Sequence, residues 1–440
     1  MGVHVEHHVD LEERFVFSPK LKKNLLLIIL SGVLLFGLGI VLLLNGQGHG
    51  AEGHHEAGAA VHGGEHTFHW TQRLFATLWV NNLFFTGIAV ISVFFCAYNY
   101  VAYAGWSSAI IRIPQSFGHF LPIAAVLMFG VFFFGHHDLF HWTHEGLTNK
   151  FLEDGKTLNP NYDKILAGKA GYLNLPFYYG RMASYFILWF VVFKAMLNQS
   201  LKEDLNGGTE HYNKSIVLGA TFLLIFGVTS STSAWDWVMS IDPHWFSTMF
   251  GWYVLASWHV SGLAAITLVV LLLKENGYLK VVNDSHLHDL GKFMFAFSIF
   301  WTYVWFAQFL LIFYANIPEE TNYFIDRLSR FGGAYYGLFF VNIFINFVFP
   351  FIGLMTRESK RLTIFLKIVC VGLLFGHWLD FYLMVMPGTT KGNSGFGALE
   401  IGSILIYLGI FGYVVANFLS KALLIPKNHP MLEESIHHDI

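Results

Sequence analysis

Four groups of residues in this 440-residue chain have the side chains and spacing for chemistry. The first is the stretch FFFGHHDLFHWTHE, which brings His136, His137, Asp138, His141, His144 and Glu145 within one short segment. On a helix, His137, His141 and His144 fall at i, i+4 and i+7 and share a face. An HxxxH pair beside a glutamate can hold a metal ion. It can equally relay protons, since imidazole titrates near neutral pH. The third alternative is a polar helix end anchored by Trp142. The second group is Asp236, Asp242 and His244, set among Trp235, Trp237 and Trp245, whose indoles favour headgroup depth. Asp242 precedes Pro243 and is placed to cap a helix N-terminus, which leaves Asp236 as the better functional candidate. The third group lies deep in apolar sequence. His259 is one member, and His377 and Asp380 follow one helical turn apart in VGLLFGHWLDFYLM, roughly ten residues from the cytoplasmic end of their span. An ionisable group at such depth is a functional candidate by default. Asp380 must be protonated, paired with His377 or reached by water, and His259 is its expected deep partner. The fourth group, His49, His54, His55, His62 and His66, belongs to GQGHGAEGHHEAGAAVHGGEH. Its irregular spacing and glycines fit a solvated loop better than a metal site.

The elements that must position these groups are ten apolar segments, at roughly 24–44, 74–103, 117–135, 177–198, 215–234, 247–273, 292–315, 331–354, 362–386 and 399–420. About 20 apolar residues span a bilayer core, and in lipid each such segment must be a helix to satisfy its own backbone. The expected fold is therefore an all-α integral membrane protein. The chain is 55% hydrophobic and only 12% charged, about half the usual charged share. A net charge of -3 gives no footprint for nucleic acid. Cys96 and Cys370 fall inside spans and form no C-x-x-C or C-x-x-C-H, so the chain offers no ligands for an iron–sulfur cluster or c-type haem. A b-type haem would need facing axial histidines, and only His259 and His377 are deep enough. No cleavable signal is evident, so the first span is expected to be retained. Lysines and arginines number 17 on the side of the termini and nine on the other. Both termini should then be cytoplasmic, with 45–73, 136–176, 235–246, 316–330 and 387–398 facing outward.

Other polar residues in the spans have plainer roles. Lys194 and Lys367 can snorkel, and Glu400 starts a helix. Asn81, Asn82, Gln308, Asn342 and Asn346 can join helices, as can the hydroxyls of Thr229 to Ser233. Within spans, proline falls only at Pro122 and Pro350, near cytoplasmic ends. With no midplane break expected, the pattern weighs against a proton-coupled secondary transporter, the competing functional class.

The string WDWVMSIDPHWFSTMFGWYVLASWH, residues 235–259, resembles the large membrane subunits of bacterial alternative complex III. These belong to the NrfD and polysulfide-reductase membrane-subunit family. The ten spans, the chain length and the His-rich loop after span one are similar to the F-type subunit rather than its longer sister, over essentially the whole chain. The resemblance implies two four-helix bundles, spans two to five and six to nine, flanked by spans one and ten. The chain then divides into a 1–23 cytoplasmic segment, the 24–44 first helix and the 45–73 periplasmic loop. The 74–234 first bundle, the 235–386 second bundle and a 387–440 last helix and tail follow. The resemblance also implies a bacterial inner-membrane complex that oxidises quinol, menaquinol or ubiquinol. Its partners would be a homologous quinol-binding membrane subunit, a periplasmic iron–sulfur subunit and multihaem and monohaem cytochrome c subunits, with a terminal oxidase as a further candidate. The chain would support quinol binding, proton transfer or both, and would not be catalytic alone. Whether it or only its sister binds quinol stays open. A quinol site needs an apolar slot and a proton acceptor. His136, His137, Asp138, Asp236, Asp242 and His244 are the candidates at the outer surface. His259, His377 and Asp380 are the candidates for a path through the membrane.

Overall fold

The computed structural model describes residues 11–49, 69–152, 156–393 and 395–439. His54, His55, His62 and His66 lie outside the described residues, and so does the side chain of His49. Among the described residues ten helices are long and apolar enough to cross a membrane. They are α1 (Pro19–His49), α2 (Trp70–Val101), α3 (Arg112–Leu139), α4 (Leu175–Asn206), α5 (Glu210–Trp237), α6 (Phe250–Glu275), α7 (Asp284–Ala315), α8 (Tyr336–Gly353), α9 (Thr363–Thr390) and α10 (Ala398–Leu419). Among the described residues the only β pairings are two isolated bridges. The fold is all-α and of the integral membrane type. Leucines and phenylalanines that would be costly in water stand exposed on the outer helices, such as Leu34, Phe134, Leu224 and Phe313, where lipid would cover them.

Helices α2 to α5 pack in a ring, and α6 to α9 form a second ring. The two rings meet along α2, α5, α6 and α9. The most apolar windows of α2 and α6 are 94% and 83% buried, against 11% for α1. The rings therefore share α2 and α6 as their common seam. Helices α1 and α10 lie against each other and against α2 and α3. Glycines permit that pairing. Gly32 and Gly39 on α1, and Gly402 and Gly409 on α10, recur at a spacing of seven residues. A Cβ on Gly402 would lie 2.3 Å from the Phe36 nitrogen, and one on Gly39 would lie 2.5 Å from the Leu399 nitrogen. Small residues let transmembrane backbones approach where hydrophobic forces give no drive.

Both described termini lie at one end of the bundle, the terminal face. There Leu424 donates its N–H to Glu13 (3.0 Å), and Leu279, between α6 and α7, donates to the Glu13 carboxylate (2.9 Å). The connection from α2 to α3 holds a compact 3-10 segment, Gly105–Ile110, clasped by the C-terminal helix Leu432–Ile436. At the other end, the loop face, the segments between α3 and α4 and between α5 and α6 are tied together. His244 meets Asp163 at 2.5 Å, and Lys169 donates to the Pro243 carbonyl at 2.6 Å. A short helix, Pro318–Leu328, occupies the segment expected to be the 316–330 loop. Helices α7 and α9 run past their expected limits. α7 begins at Asp284 rather than 292, and α9 continues through Pro387 to Thr390 rather than stopping at 386.

The C-terminal segment docks through His429, whose ring packs on Tyr100 and Tyr212 at centroid distances of 6.1 and 5.1 Å. Its Nδ1 accepts the Met431 N–H at 3.2 Å. Burial pushes its pKa down to about 4, and Arg112 adds to the effect. An undocked imidazole titrates near 6.5 and so takes up a proton first as the pH falls. Docking is then strongest above about pH 6.5 and weakens down to about 4. We expect cleavage at Glu433 and Glu434 by a glutamyl endopeptidase to rise by up to about tenfold per pH unit across that window, relative to an exposed peptide. In His429→Gln the dependence should shrink, the remainder coming from His286, whose ring bonds Ser435 of the docked segment at 3.0 Å.

Candidate functional site

Asp380 sits on the axis of the second ring, fully buried. It receives a donor from each of the other three helices of that ring. Tyr253 and Ser257 on α6 are four residues apart and present their hydroxyls on one face, one to each carboxylate oxygen. Trp301 on α7 donates Nε1–H to Oδ2 at 2.9 Å, and Asn342 on α8 donates Nδ2–H to Oδ1 at 2.9 Å. Asn342 is itself oriented by Asn346, which donates to its Oδ1 at 2.7 Å. Asp380 lies ten residues before Thr390, at the loop-face end of α9, and seventeen after Thr363. The depth expected from the sequence, near the terminal end, is therefore corrected: the carboxylate is in the loop-face half.

The backbone of α8 bends to bring Asn342 and Asn346 into place. Residues Phe344–Val348 form a π-helical turn between two α-helical pieces. Pro350 follows and lacks the N–H that would bond the Asn346 carbonyl, so the ladder is rewound there. Such turns occur often at functional sites. On α9, Gly376 leaves the space that Asn346 fills, since a Cβ there would stand 2.2 Å from its Oδ1.

Toward the loop face the network opens on a small cavity walled by Tyr253, Gln308, Tyr323, Arg327 and Asn342 among aromatic rings. Its volume is about 20 Å³, room for a water molecule. Arg327 is buried and donates only to backbone carbonyls among its resolved bonds. Nε bonds Leu383 at 2.9 Å, Nη1 bonds Tyr323 at 2.6 Å and Nη2 bonds Met384 at 3.2 Å. The Leu383 carbonyl is open because Pro387, four residues on, has no N–H. A guanidinium thus replaces the missing helix bond, and its carbon lies 3.3 Å above the Tyr323 ring. Asp242 is near enough for Arg327 to act on it. Burial pushes the Asp242 carboxyl up, against the pull of Arg327 and His244.

The expected pairing of Asp380 with His377 is not what forms. His377 is fully buried one turn toward the terminal face, its ring edge-on to Trp301, and neither nitrogen has a protein partner. His259 faces Phe94, Tyr98 and Phe297 at the seam between the rings rather than Asp380. Its Nε2 and the Tyr98 hydroxyl are also without protein partners.

The outer candidates of the first ring take structural positions. Asp236 forms a two-pronged ion pair with Arg181 (2.8 and 3.0 Å) and accepts the Tyr185 hydroxyl at 2.8 Å. Its partner is Arg181, not His136, His137 or Asp138. Helix α3 ends at Leu139, where Phe140 turns to an extended conformation. His136, His137 and Asp138 occupy the last turn, while His141 starts a separate 3-10 turn. His137, His141 and His144 therefore do not share a helical face. His144 instead binds the His137 carbonyl at 2.8 Å. Among the described residues no group of three or more His, Cys, Asp or Glu is placed to hold a metal. Asp242 follows a 3-10 turn, and α6 begins only at Phe250, so Asp242 is not its N-cap. His244 belongs to the loop clasp with Asp163. Trp237 and Trp245 are buried in side-chain packing rather than displayed at the surface: Trp237 against Tyr185 and Phe186, Trp245 stacked on Tyr323 at 4.1 Å.

Several polar residues escaped the sequence reading. Arg112 is fully buried and bonds Asp204, Gln115 at 2.8 Å and Ser200 at 3.1 Å. Glu203 is also fully buried, with both oxygens lacking a protein partner. The signal for Arg112 was a lone arginine in the apolar run SSAIIRIPQSF. Glu203 beside Asp204 stands in what reads as an ordinary charged loop, and Arg327 in the expected 316–330 loop. Glu400 does start α10, accepting the Gly397 N–H at 2.8 Å, and it also binds Arg73 on α2 at 2.8 and 3.0 Å. No protein-family model matches the chain, and no curated protein matches it.

Asp236 is 1% exposed and its arginine 10%. Removing one member of such a pair leaves an uncompensated charge. Asp236→Asn should therefore destabilise the first ring by on the order of 3 kcal/mol. A thermal-shift or detergent-resistance assay should register that loss, and the assembled remainder should keep its specific activity. Unaltered stability with lost activity would make Asp236 a functional residue.

Proposed function

We propose that this chain is a proton-conducting membrane subunit of a quinol-oxidising electron-transfer complex in a bacterial inner membrane. The observation that carries the reading is Asp380, a carboxylate with no cation bonded to it, held by four neutral donors beneath a water-sized cavity. Burial in hydrocarbon disfavours the charged carboxylate by at least a few kcal/mol. Hydrogen bonds to the charged form favour it. The opposition lets the group exist in either state, which a proton carrier requires. Tyr253 joins the carboxylate to the cavity wall and can pass a proton by rotating its hydroxyl. Toward the terminal face, His377, His259 and Tyr98 offer unpaired polar atoms for the remainder of the path.

The quinol-complex half of the reading rests on the resemblance of residues 235–259, which carry Tyr253, Ser257 and His259. Cys96 and Cys370 are buried and unpaired. With no haem or cluster ligands recognised in the sequence, electrons from quinol would pass through partners. Those partners would be iron–sulfur and cytochrome c subunits, with a homologous membrane subunit alongside. The proposed orientation has the termini cytoplasmic and the loop face outward, so the cavity opens on the side where protons leave quinol.

One observation favours a second reading. The π-helical turn of α8 interrupts that helix beside a buried ionisable residue, a feature shared with proton-coupled secondary transporters. No such break is expected from the positions of proline in the spans. The two readings part on whether transport needs quinol.

Asp380→Asn keeps the shape and the hydrogen bonds but cannot carry a proton. In vesicles holding the intact assembly, we expect it to lower the protons translocated per electron by at least half while assembly stays normal. Tyr253→Phe should give a smaller loss. An undiminished ratio in Asp380→Asn would sink the proposal. Proton-coupled uptake of a solute by the chain alone, without quinol, would establish the second reading.

A further inference from the structure

A second cavity lies away from this site, on the membrane-facing flank near the terminal face. It is a groove of about 600 Å³ between α1, α3 and α10. Leu26, Ile29, Ile123, Ile410 and Val414 form its apolar floor and walls. Its polar members are His119, Asn417 and Lys421, and no residue lining it is acidic. The size is within the range of ligand pockets.

The basic groups gather at one end. Lys421 follows the last turn of α10 and is exposed. Lys194 on α4 and Lys421 both lie close enough to His119 to act on it electrostatically. The His119 ring stacks on Phe418 at 4.2 Å and sits against the Gln115 carbonyl at 3.3 Å, so it is held in position. On the opposite wall Tyr413 meets Phe17 edge-on at 5.3 Å, and Lys22 lies 5.0 Å above that ring. The groove thus has an apolar body and a cationic mouth at Lys421, with Lys194 and Lys22 close by. We propose that it binds one anionic diacyl phospholipid, with acyl chain in the groove and phosphate against Lys421 and its neighbours.

Charge complementarity selects this occupant. A zwitterionic lipid would fill the apolar body equally well but brings a phosphate already offset by its own cation, and a quinol would leave the lysines without an anion. A hydrophobic helix from a partner would do the same. Basic pockets between transmembrane helices attract anionic headgroups, and each lysine near the surface contributes about fivefold in affinity. The two terms are separable, because the lysines lie at the mouth and Val414 lies in the wall.

The test is native mass spectrometry of the purified assembly titrated with phosphatidylglycerol or phosphatidylcholine at fixed salt. One phosphatidylglycerol should be retained at least about fivefold more tightly than phosphatidylcholine. Lys421→Gln should weaken it about fivefold and Lys421→Gln with Lys194→Gln about 25-fold, with phosphatidylcholine unaffected. Val414→Trp should block the groove and remove the bound lipid with every lysine in place. Equal retention of the two lipids by the unaltered protein would overturn the proposal. So would retention of phosphatidylglycerol unaltered by the double and the Val414 variants, or a quinone or partner helix occupying the groove in the assembly.

Discussion

Inside a hydrocarbon layer a polar atom has no water to bond, and this constraint organises the molecule. Helices satisfy their own backbones, so what remains to be settled is each side chain with a charge or an N–H. Trp79 on α2 reaches the Trp237 carbonyl at 2.7 Å, and Trp258 on α6 reaches the Leu83 carbonyl at 3.0 Å. Asn81 on α2 bonds Ser403 on α10 and accepts from Trp378 on α9. Tyr407 donates to Asn82 at 2.9 Å. The first of these bonds ties α2 to α5 within one ring, and the others cross from ring to ring and from the rings to α10. They fix the relative placement of helices whose apolar surfaces alone would slide, since lipid is as good a neighbour as leucine.

The same constraint treats the two rings differently. In the first ring the buried carboxylate Asp236 is answered by a cation, Arg181, and the pair is neutral. In the second, Asp380 is answered by hydroxyl, indole and amide groups, none of them a cation. An ion pair balances a charge as well as holding a geometry, whereas a ring of neutral donors holds only a geometry. In the function proposed above, that difference, rather than the number of histidines nearby, marks Asp380 as the proton carrier.

Deviations from regular helix gather around the second carboxylate. The π-helical turn of α8 turns Asn342 and Asn346 toward Asp380, and Gly376 leaves room for them. About two turns beyond Asp380, Pro387 opens the Leu383 carbonyl, and Arg327 closes it from a helix that does not cross the membrane. Each break leaves a backbone group to be satisfied, and at Leu383 a side chain lining the cavity does so. The arrangement ties the position of the cavity wall to the conformation of α9.

The sequence by itself determined the ten spans, because hydrophobic length is set by membrane thickness and needs no knowledge of neighbours. It also determined that His377, Asp380 and His259 are deep, and that Asn81 and Asn346 belong in helices. Tertiary structure alone decided which of them meet. The pairing of His377 with Asp380 looked favourable at three residues apart, yet three other helices supply the donors, from residues 38 to 127 positions away. Asp236 looked free until Arg181, 55 residues earlier, was seen to hold it. The helix end at Leu139, the π-helical turn and the continuation of α9 through Pro387 left no mark in composition, because packing and the partners of orphaned carbonyls decide where a helix bends or stops.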